Sequence, residues 1–279
     1  MNLLLIRHGE TVDNVAHRLA GVTDSALTPN GSLQAARLGA YLTSKHGENF
    51  TLTHIYSSDL QRAAKTAGAI LEAQSAAIAN GQNPLAEPRG VDEGNGDNAS
   101  LEPAEDVLRL PDLREMDFGS EEGAPYRRAH SSRPDFENGR ETTESMVARA
   151  NRFLNQHLLP ALVAVHMAPV ASVVNVAIAV VSHGIFLQIL RKQLMRHLRY
   201  LPDSRKVRWS NTGYFHLRFD PRTKWTDSRG LALWPYSIHG INVTTHLTGI
   251  RKTAAKDAAA DGTQRRIDEF FKAGEGSAL

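Results

Sequence analysis

Two histidine–glycine pairs carry most of the chemistry this chain could perform. His8 follows Arg7 and precedes Gly9, Glu10 and Thr11, and His183 stands between Ser182 and Gly184. Each pair comes directly after a short apolar run, at 3–6 and at 176–181. An imidazole offers a nucleophilic ring nitrogen near neutral pH. An arginine beside it is a planar fork that suits phosphate oxygens. Glycine lets another group come close to the backbone.

Two further stretches add to these. Ser57-Ser58-Asp59-Leu60-Gln61-Arg62-Ala63 puts an arginine in the first turn of a predicted helix, with Ser58 or Asp59 as its cap. A cation there opposes the helix dipole, a conflict that a docked anion would resolve. Asp112-Leu113-Arg114-Glu115-Met116-Asp117-Phe118-Gly119 offers Glu115 or Asp117 as the proton donor to a leaving oxygen. Singly, each stretch has a plainer explanation: a strand-end turn, an exposed helix arginine, a structural histidine, a solvated acidic loop. Two histidine–glycine pairs at two equivalent strand ends are harder to explain that way.

The elements that must position these residues alternate. Apolar or β-branched runs at 3–6, 53–57 and 176–181 read as strands, the first and third buried on both faces. Helical spacing follows at 30–46, 60–73 and 185–198, with Thr28 and Pro29 as a helix start. Another helix is expected over 142–165, and strands over 214–219 and 238–246. Strand–helix alternation predicts an α/β three-layer sandwich with a largely parallel central sheet flanked by helices. Carboxyl ends of parallel strands are where such folds build their sites. Residues 82–111, rich in Gly, Asn, Glu, Asp and Pro, read as a mobile surface insertion. Residues 251–279 read as a flexible C-terminal tail.

Taken together and in this order, the four motifs resemble those of the histidine phosphatase superfamily, the phosphoglycerate mutase-like fold, over roughly residues 1–248. The resemblance implies a phosphatase domain at 1–250. It implies His8 as nucleophile and phosphohistidine carrier, with Arg7, Arg62 and His183 around the transferred phosphoryl group. Glu115 falls at the family's general acid, Asn14 at a phosphate contact, and Thr23 in the substrate-side loop. The Arg-His-Gly-Glu-Thr start and the Glu-Met-Asp-Phe-Gly stretch look more like the broad-specificity phosphatase branch than a mutase. The alternatives are a phosphoglycerate-type mutase, or a recruitment factor with a vestigial phosphatase domain.

The remaining composition bounds the possibilities. The 279 residues are 41% hydrophobic, enough for one sizeable core. A formal net charge of +2 gives no reason to expect nucleic acid or an anionic membrane. Without cysteine the chain cannot use a thiolate nucleophile, a disulfide or a Cys-based metal site. The 12 histidines form no compact ligand motif, so neither metal nor cofactor is expected. No run reaches transmembrane length, and the chain reads as soluble and intracellular.

The tail contains Gln264-Arg265-Arg266-Ile267-Asp268-Glu269-Phe270-Phe271. This resembles the PIP box by which proteins bind proliferating cell nuclear antigen, the sliding clamp. One 3₁₀-like turn at 264–271 would gather Ile267, Phe270 and Phe271 into an apolar plug, with Gln264 anchoring the start. The plainer reading is an amphipathic helix packed on its own domain.

Overall fold

The structure is a computed structural model that describes residues 1–82, 101–126, 139–168, 175–198, 207–220, 225–226, 232–233, 236–250 and 253. In chain order the strands are β1 (Asn2–Arg7), β2 (Thr51–Ser58), β3 (Leu108–Leu110), β4 (Val176–Ser182), β5 (Tyr214–Phe219), β6 (Trp225–Thr226), β7 (Ala232–Leu233) and β8 (Tyr236–Val243). The helices are α1 (Val12–Val15), α2 (Pro29–Thr43), α3 (Gln61–Ala79), α4 (Thr143–Phe153), α5 (Leu159–Met167) and α6 (Gly184–His197).

Six strands form one sheet in the order β3-β2-β4-β1-β5-β8. The first four run parallel; β5 is antiparallel to β1, and β8 antiparallel to β5. Side chains alternate across a strand, so one strand feeds two cores. Leu3 and Leu5 pack with Phe153, Leu162, Leu187 and Leu190 on one face. Leu4 and Ile6 pack with Leu38, Leu42, Ala67 and Ile70 on the other. The expected three-layer sandwich is therefore present, with α2 and α3 on one side and α4, α5 and α6 on the other. Leu4 and Leu5 are both fully buried. Truncating either to Ala should cost about 2–5 kcal/mol.

Two expectations need correction. The stretch 82–111 is not a mobile insertion throughout. Residues 83–100 lie outside the described residues, but Val107 is buried and Leu108–Leu110 forms the edge strand β3. The reason is Gln74 in α3. Its amide accepts from Leu52 N at 2.6 Å and donates to Leu52 O and Ala104 O at 3.0 and 3.2 Å. A side-chain amide thus stands in for a neighbouring strand and ties 101–107 to the sheet. The expected helix over 142–165 is not regular either. A π-helical turn, Leu154–Leu158, separates α4 from α5. Pro160 has no N–H for the Gln156 carbonyl, and its ring crowds that carbonyl, so the turn before it widens.

Candidate active site

The sheet register brings the two histidines together. β1 and β4 are parallel neighbours, with Arg7 paired to Ser182. The next residue of each strand therefore leaves the same edge of the sheet at the same level. The rings of His8 and His183 lie 5.1 Å apart, centre to centre. His8 N also donates to Ser182 O at 3.0 Å.

Each imidazole has one tautomer imposed on it. His8 Nδ1 lies 2.7 Å from Gly9 O. A carbonyl can only accept, so Nδ1 carries the proton and Nε2 keeps its lone pair. His183 Nδ1 lies 3.2 Å from Arg62 Nε. A guanidinium can only donate, so Nδ1 accepts and Nε2 carries the proton. That Nε2 is buried and has no partner among the described residues. Arg7 Nε is a second buried donor without a partner there, while Arg7 NH1 is held by Trp209 O at 2.8 Å.

Arg62 is almost wholly buried, at 1% exposure. Besides His183, its guanidinium donates to Ala20 O, Gly21 O and Thr23 O at 3.1, 2.6 and 2.8 Å. The conflict with the helix dipole is resolved within the chain. Asp24 Oδ1 accepts from Gln61 N at 2.8 Å, at the start of α3. The predicted caps act otherwise. Leu60 is the cap residue of α3 and makes no side-chain cap bond. Ser58 Oγ accepts from Leu60 N, and Asp59 forms a bidentate pair with Arg114 at 2.7 and 2.6 Å.

Glu115 reaches the same place from the 3₁₀ turn after β3. Its Oε1 accepts from Met116 N and Phe186 N at 3.0 and 2.9 Å, and its Oε2 from Ile185 N at 3.1 Å. It thus caps α6, whose own cap residue, His183, makes no side-chain cap bond. Ser182 Oγ donating to Leu113 O at 2.7 Å fixes this segment. Arg149 fixes it too, bonding to Asp112 O and Arg114 O and lying over the Phe186 ring.

A model of the histidine phosphatase superfamily (branch 1) matches residues 3–87 and 98–230. The chain belongs to the histidine phosphatase superfamily. A Schizosaccharomyces pombe protein named as a probable phosphatase is 28% identical over 274 residues, covering 96% of this chain and 78% of that one. A Serratia proteamaculans protein named as a probable phosphoglycerate mutase is 45% identical, but over 80 residues, 29% of this chain and 35% of that one. The structure of a mycobacterial glucosyl-3-phosphoglycerate phosphatase superposes with a TM-score of 0.57 at 21% identity, covering 86% and 99% of the two chains. A Bacillus anthracis phosphoglycerate mutase gives 0.56 at 19%, covering 92% and 96%. These two show the fold. The family match is to branch 1 of the superfamily as a whole, and of the two relatives the one that spans most of both chains is named as a phosphatase.

Electrostatics keep both imidazoles of this histidine phosphatase neutral. Burial pushes His8 well below the usual histidine range, and the charges of Arg62 and Arg7 push the same way. Burial, then Arg62, His8 and Arg7, do the same to His183. Burial also lowers the pKa values of Arg7 and Arg62, and the charge of Glu115 opposes this at both. Both arginines remain charged at neutral pH.

The other expected residues fall less directly on the site. Asn14 closes a capping box with Thr11, and its Oδ1 accepts from Asn211 Nδ2 at 2.9 Å. Thr23 meets Arg62 through its backbone carbonyl, and the residue is exposed. Asp117 Oδ1 accepts from Gly119 N within a turn. Gln264, Ile267, Phe270 and Phe271 lie outside the described residues.

The sequence reading missed Asn211 and Thr212. Asn211 Nδ2 also donates to His8 O at 3.2 Å, linking the histidine backbone to Asn14. Thr212 N donates to the same carbonyl from a backbone at φ +53°, an uncommon conformation for a β-branched residue. Its hydroxyl meets His246 Nε2 at 2.9 Å. Strain of this kind persists where surrounding contacts over-determine it, and it collects at functional sites. No motif in the sequence marks these two residues.

Proposed function

We propose that this chain is a metal-independent phosphomonoesterase that carries the phosphoryl group on His8 Nε2. The observation that carries this reading is the His8 Nδ1 contact with Gly9 O at 2.7 Å. It leaves Nε2 as the basic nitrogen of a ring kept neutral in a cationic pocket.

In the first half-reaction, the Nε2 lone pair attacks phosphorus in line with the leaving oxygen. The N–P bond forms, the P–O bond breaks, and Glu115 gives its proton to the departing alkoxide. Oε1 already accepts two backbone N–H bonds, whereas Oε2 accepts one. Oε2 therefore has the freer lone pair and is the oxygen that would take a proton when the phosphate dianion binds beside it. Charge on the equatorial oxygens is met by the unpartnered donors Arg7 Nε and His183 Nε2. Arg62 contributes its charge and holds His183 in the donor tautomer. In the second half-reaction water attacks phosphorus, the N–P bond breaks, and the water proton returns to Glu115. Gly9 O supports the positive charge that the ring carries while phosphorylated.

The test is alkaline-quench trapping with a labelled phosphomonoester. The expected label is acid-labile and alkali-stable, and His8→Ala abolishes both label and turnover. Retained turnover by His8→Ala would refute the covalent role. A chelator should leave the wild-type rate unchanged. Release of inorganic phosphate without interconversion of 2- and 3-phosphoglycerate separates this reading from a mutase.

Recruitment by the sliding clamp is a second reading, favoured by the spacing of Gln264, Ile267, Phe270 and Phe271. It concerns a different part of the chain and would place a fraction of the protein in the nucleus. A pull-down with proliferating cell nuclear antigen should recover the wild-type chain and not the Phe270→Ala, Phe271→Ala double variant. Equal recovery of both forms would remove it.

A further inference from the structure

The loop that holds Arg62 is itself held by a carboxylate. Glu122 Oε1 and Oε2 accept from Gly21 N at 3.1 and 3.0 Å. The same carboxylate accepts from Val22 N at 3.3 Å and Thr23 N at 3.4 Å. Phe118 N completes the set at 3.0 Å. Consecutive backbone N–H groups turned to one point form an anion-binding concavity, and here a side chain of the same protein fills it. The carbonyls of residues 20, 21 and 23 meet the Arg62 guanidinium.

The loop is thus clamped between a carboxylate on its N–H side and a guanidinium on its C=O side. Little room exists for another arrangement. A Cβ on Gly21 would lie 2.1 Å from Met116 O and 2.2 Å from Glu122 Oε1. Backbone bonds from Leu19 N to Ala124 O and from Gly123 N to Leu19 O, at 2.9 and 2.8 Å, bring the two segments together beside the clamp.

We infer that Glu122 is a positioning residue for catalysis: it fixes loop 20–23, which aims Arg62, which sets the tautomer of His183. The chain of contacts runs from a half-buried carboxylate to a buried imidazole through four hydrogen bonds donated by one guanidinium. Glu122 also acts on Arg62 directly, since its charge helps to hold that guanidinium protonated against burial. This inference rests on the proposed roles of His8, Arg62 and His183.

The shape of the clamp dictates the test. Glu122→Gln preserves size but turns an amide NH₂ toward backbone N–H groups. Glu122→Ala leaves a space that a small carboxylate can occupy. Both variants, wild type and His8→Ala are assayed on p-nitrophenyl phosphate, with formate titrated into each. Both Glu122 variants are expected to lose kcat on the order of 10- to 100-fold, the scale of a small misplacement at a reacting centre. Formate should restore part of the Glu122→Ala loss and none of the Glu122→Gln loss. A role in packing alone predicts near-wild-type turnover for Glu122→Gln, and that result overturns the inference. So does a folded Glu122→Ala variant whose loss formate leaves untouched. If Glu122→Ala does not fold, Glu122→Gln decides. Imidazole ¹⁵N shifts of the wild type test the last link without any variant: His183 must carry its proton on Nε2, and the opposite tautomer breaks the chain. Inactive wild type, or active His8→Ala, would instead strike the underlying phosphatase reading.

Discussion

Arg62 Nε donates to His183 Nδ1 across 3.2 Å, so a residue at the start of α3 decides which nitrogen of a strand-end imidazole holds the proton. Lysine has no planar fork and cannot make this contact while also holding three carbonyls. Arg62→Lys should therefore lower kcat by about 100-fold or more, with a smaller change in KM. Steady-state kinetics on a generic phosphomonoester check this. A change confined to KM would show that Arg62 only binds substrate.

The buried histidines predict how stability responds to acid. His8 and His183 lie well below the usual histidine value, and His216 and His246 are both lowered to about 4, chiefly by burial. Each binds a proton more readily when unfolded, so the unfolded state gains protons first as pH falls. The histidines' contribution should be flat above the unfolded value of about 6.5 and drop steadily from there toward pH 4, on top of a shallower decline below about pH 8 from the Met1 amine, which burial lowers from 8.0 to about 6. Thermal melts across pH 4–8 provide the measurement. A Tm that rises on acidification through this window contradicts the sign.

The same shift predicts the state of the nucleophile. At pH 6.5 an ordinary histidine is half protonated, whereas His8 should still be neutral. The acid limb of kcat/KM that belongs to His8 should therefore lie well below 6.5. A pH titration of the His8 imidazole ¹⁵N signals tests this directly, and a midpoint near 6.5 would be the adverse result.

Gly31 should be intolerant of any side chain. A Cβ there would fall 2.0 Å from Glu10 O, and one on Gly9 would fall 2.6 Å from Gly31 O. The start of α2 and the turn after His8 touch backbone to backbone. Gly31→Ala should destabilise the protein by about 2–4 kcal/mol and lower turnover through displacement of His8. Denaturant unfolding and kcat should both report the change; an unchanged midpoint would argue that the contact relaxes freely.

Asn211 ties His8 O to Asn14 Oδ1 from outside the parallel part of the sheet. Asn211→Ala should reduce kcat on the order of 10-fold by loosening the nucleophile backbone. The Tm should fall only slightly, since Asn211 is half-buried. Loss of stability without loss of kcat would reassign Asn211 to the fold alone.

Much of the arrangement was legible in the residues. The apolar runs before His8 and His183 identify two strands buried on both faces, and Val176–Ser182 differs from the expected run by one residue. Tyr214–Phe219 appears with the expected bounds. Strand β3 was not legible: three residues with two exposed give no apolar period, and their place depends on pairing with β2 and on the Gln74 amide. The π-helical turn had a visible cause in Pro160, but helical spacing continues through it and the expected helix is continuous.

Residue types alone determined that imidazoles, guanidiniums and carboxylates would follow apolar strands, since backbone periodicity and burial are local properties of the chain. They could not decide which nitrogen of each ring is basic, whether Arg62 faces solvent or three carbonyls, or that Glu122 meets loop 20–23 from about 100 residues away. Those outcomes depend on partners distant in sequence, whose approach is set by sheet register and by the closing of loops around it. The tertiary structure supplied the directional hydrogen bonds, and with them the protonation states on which the chemistry depends.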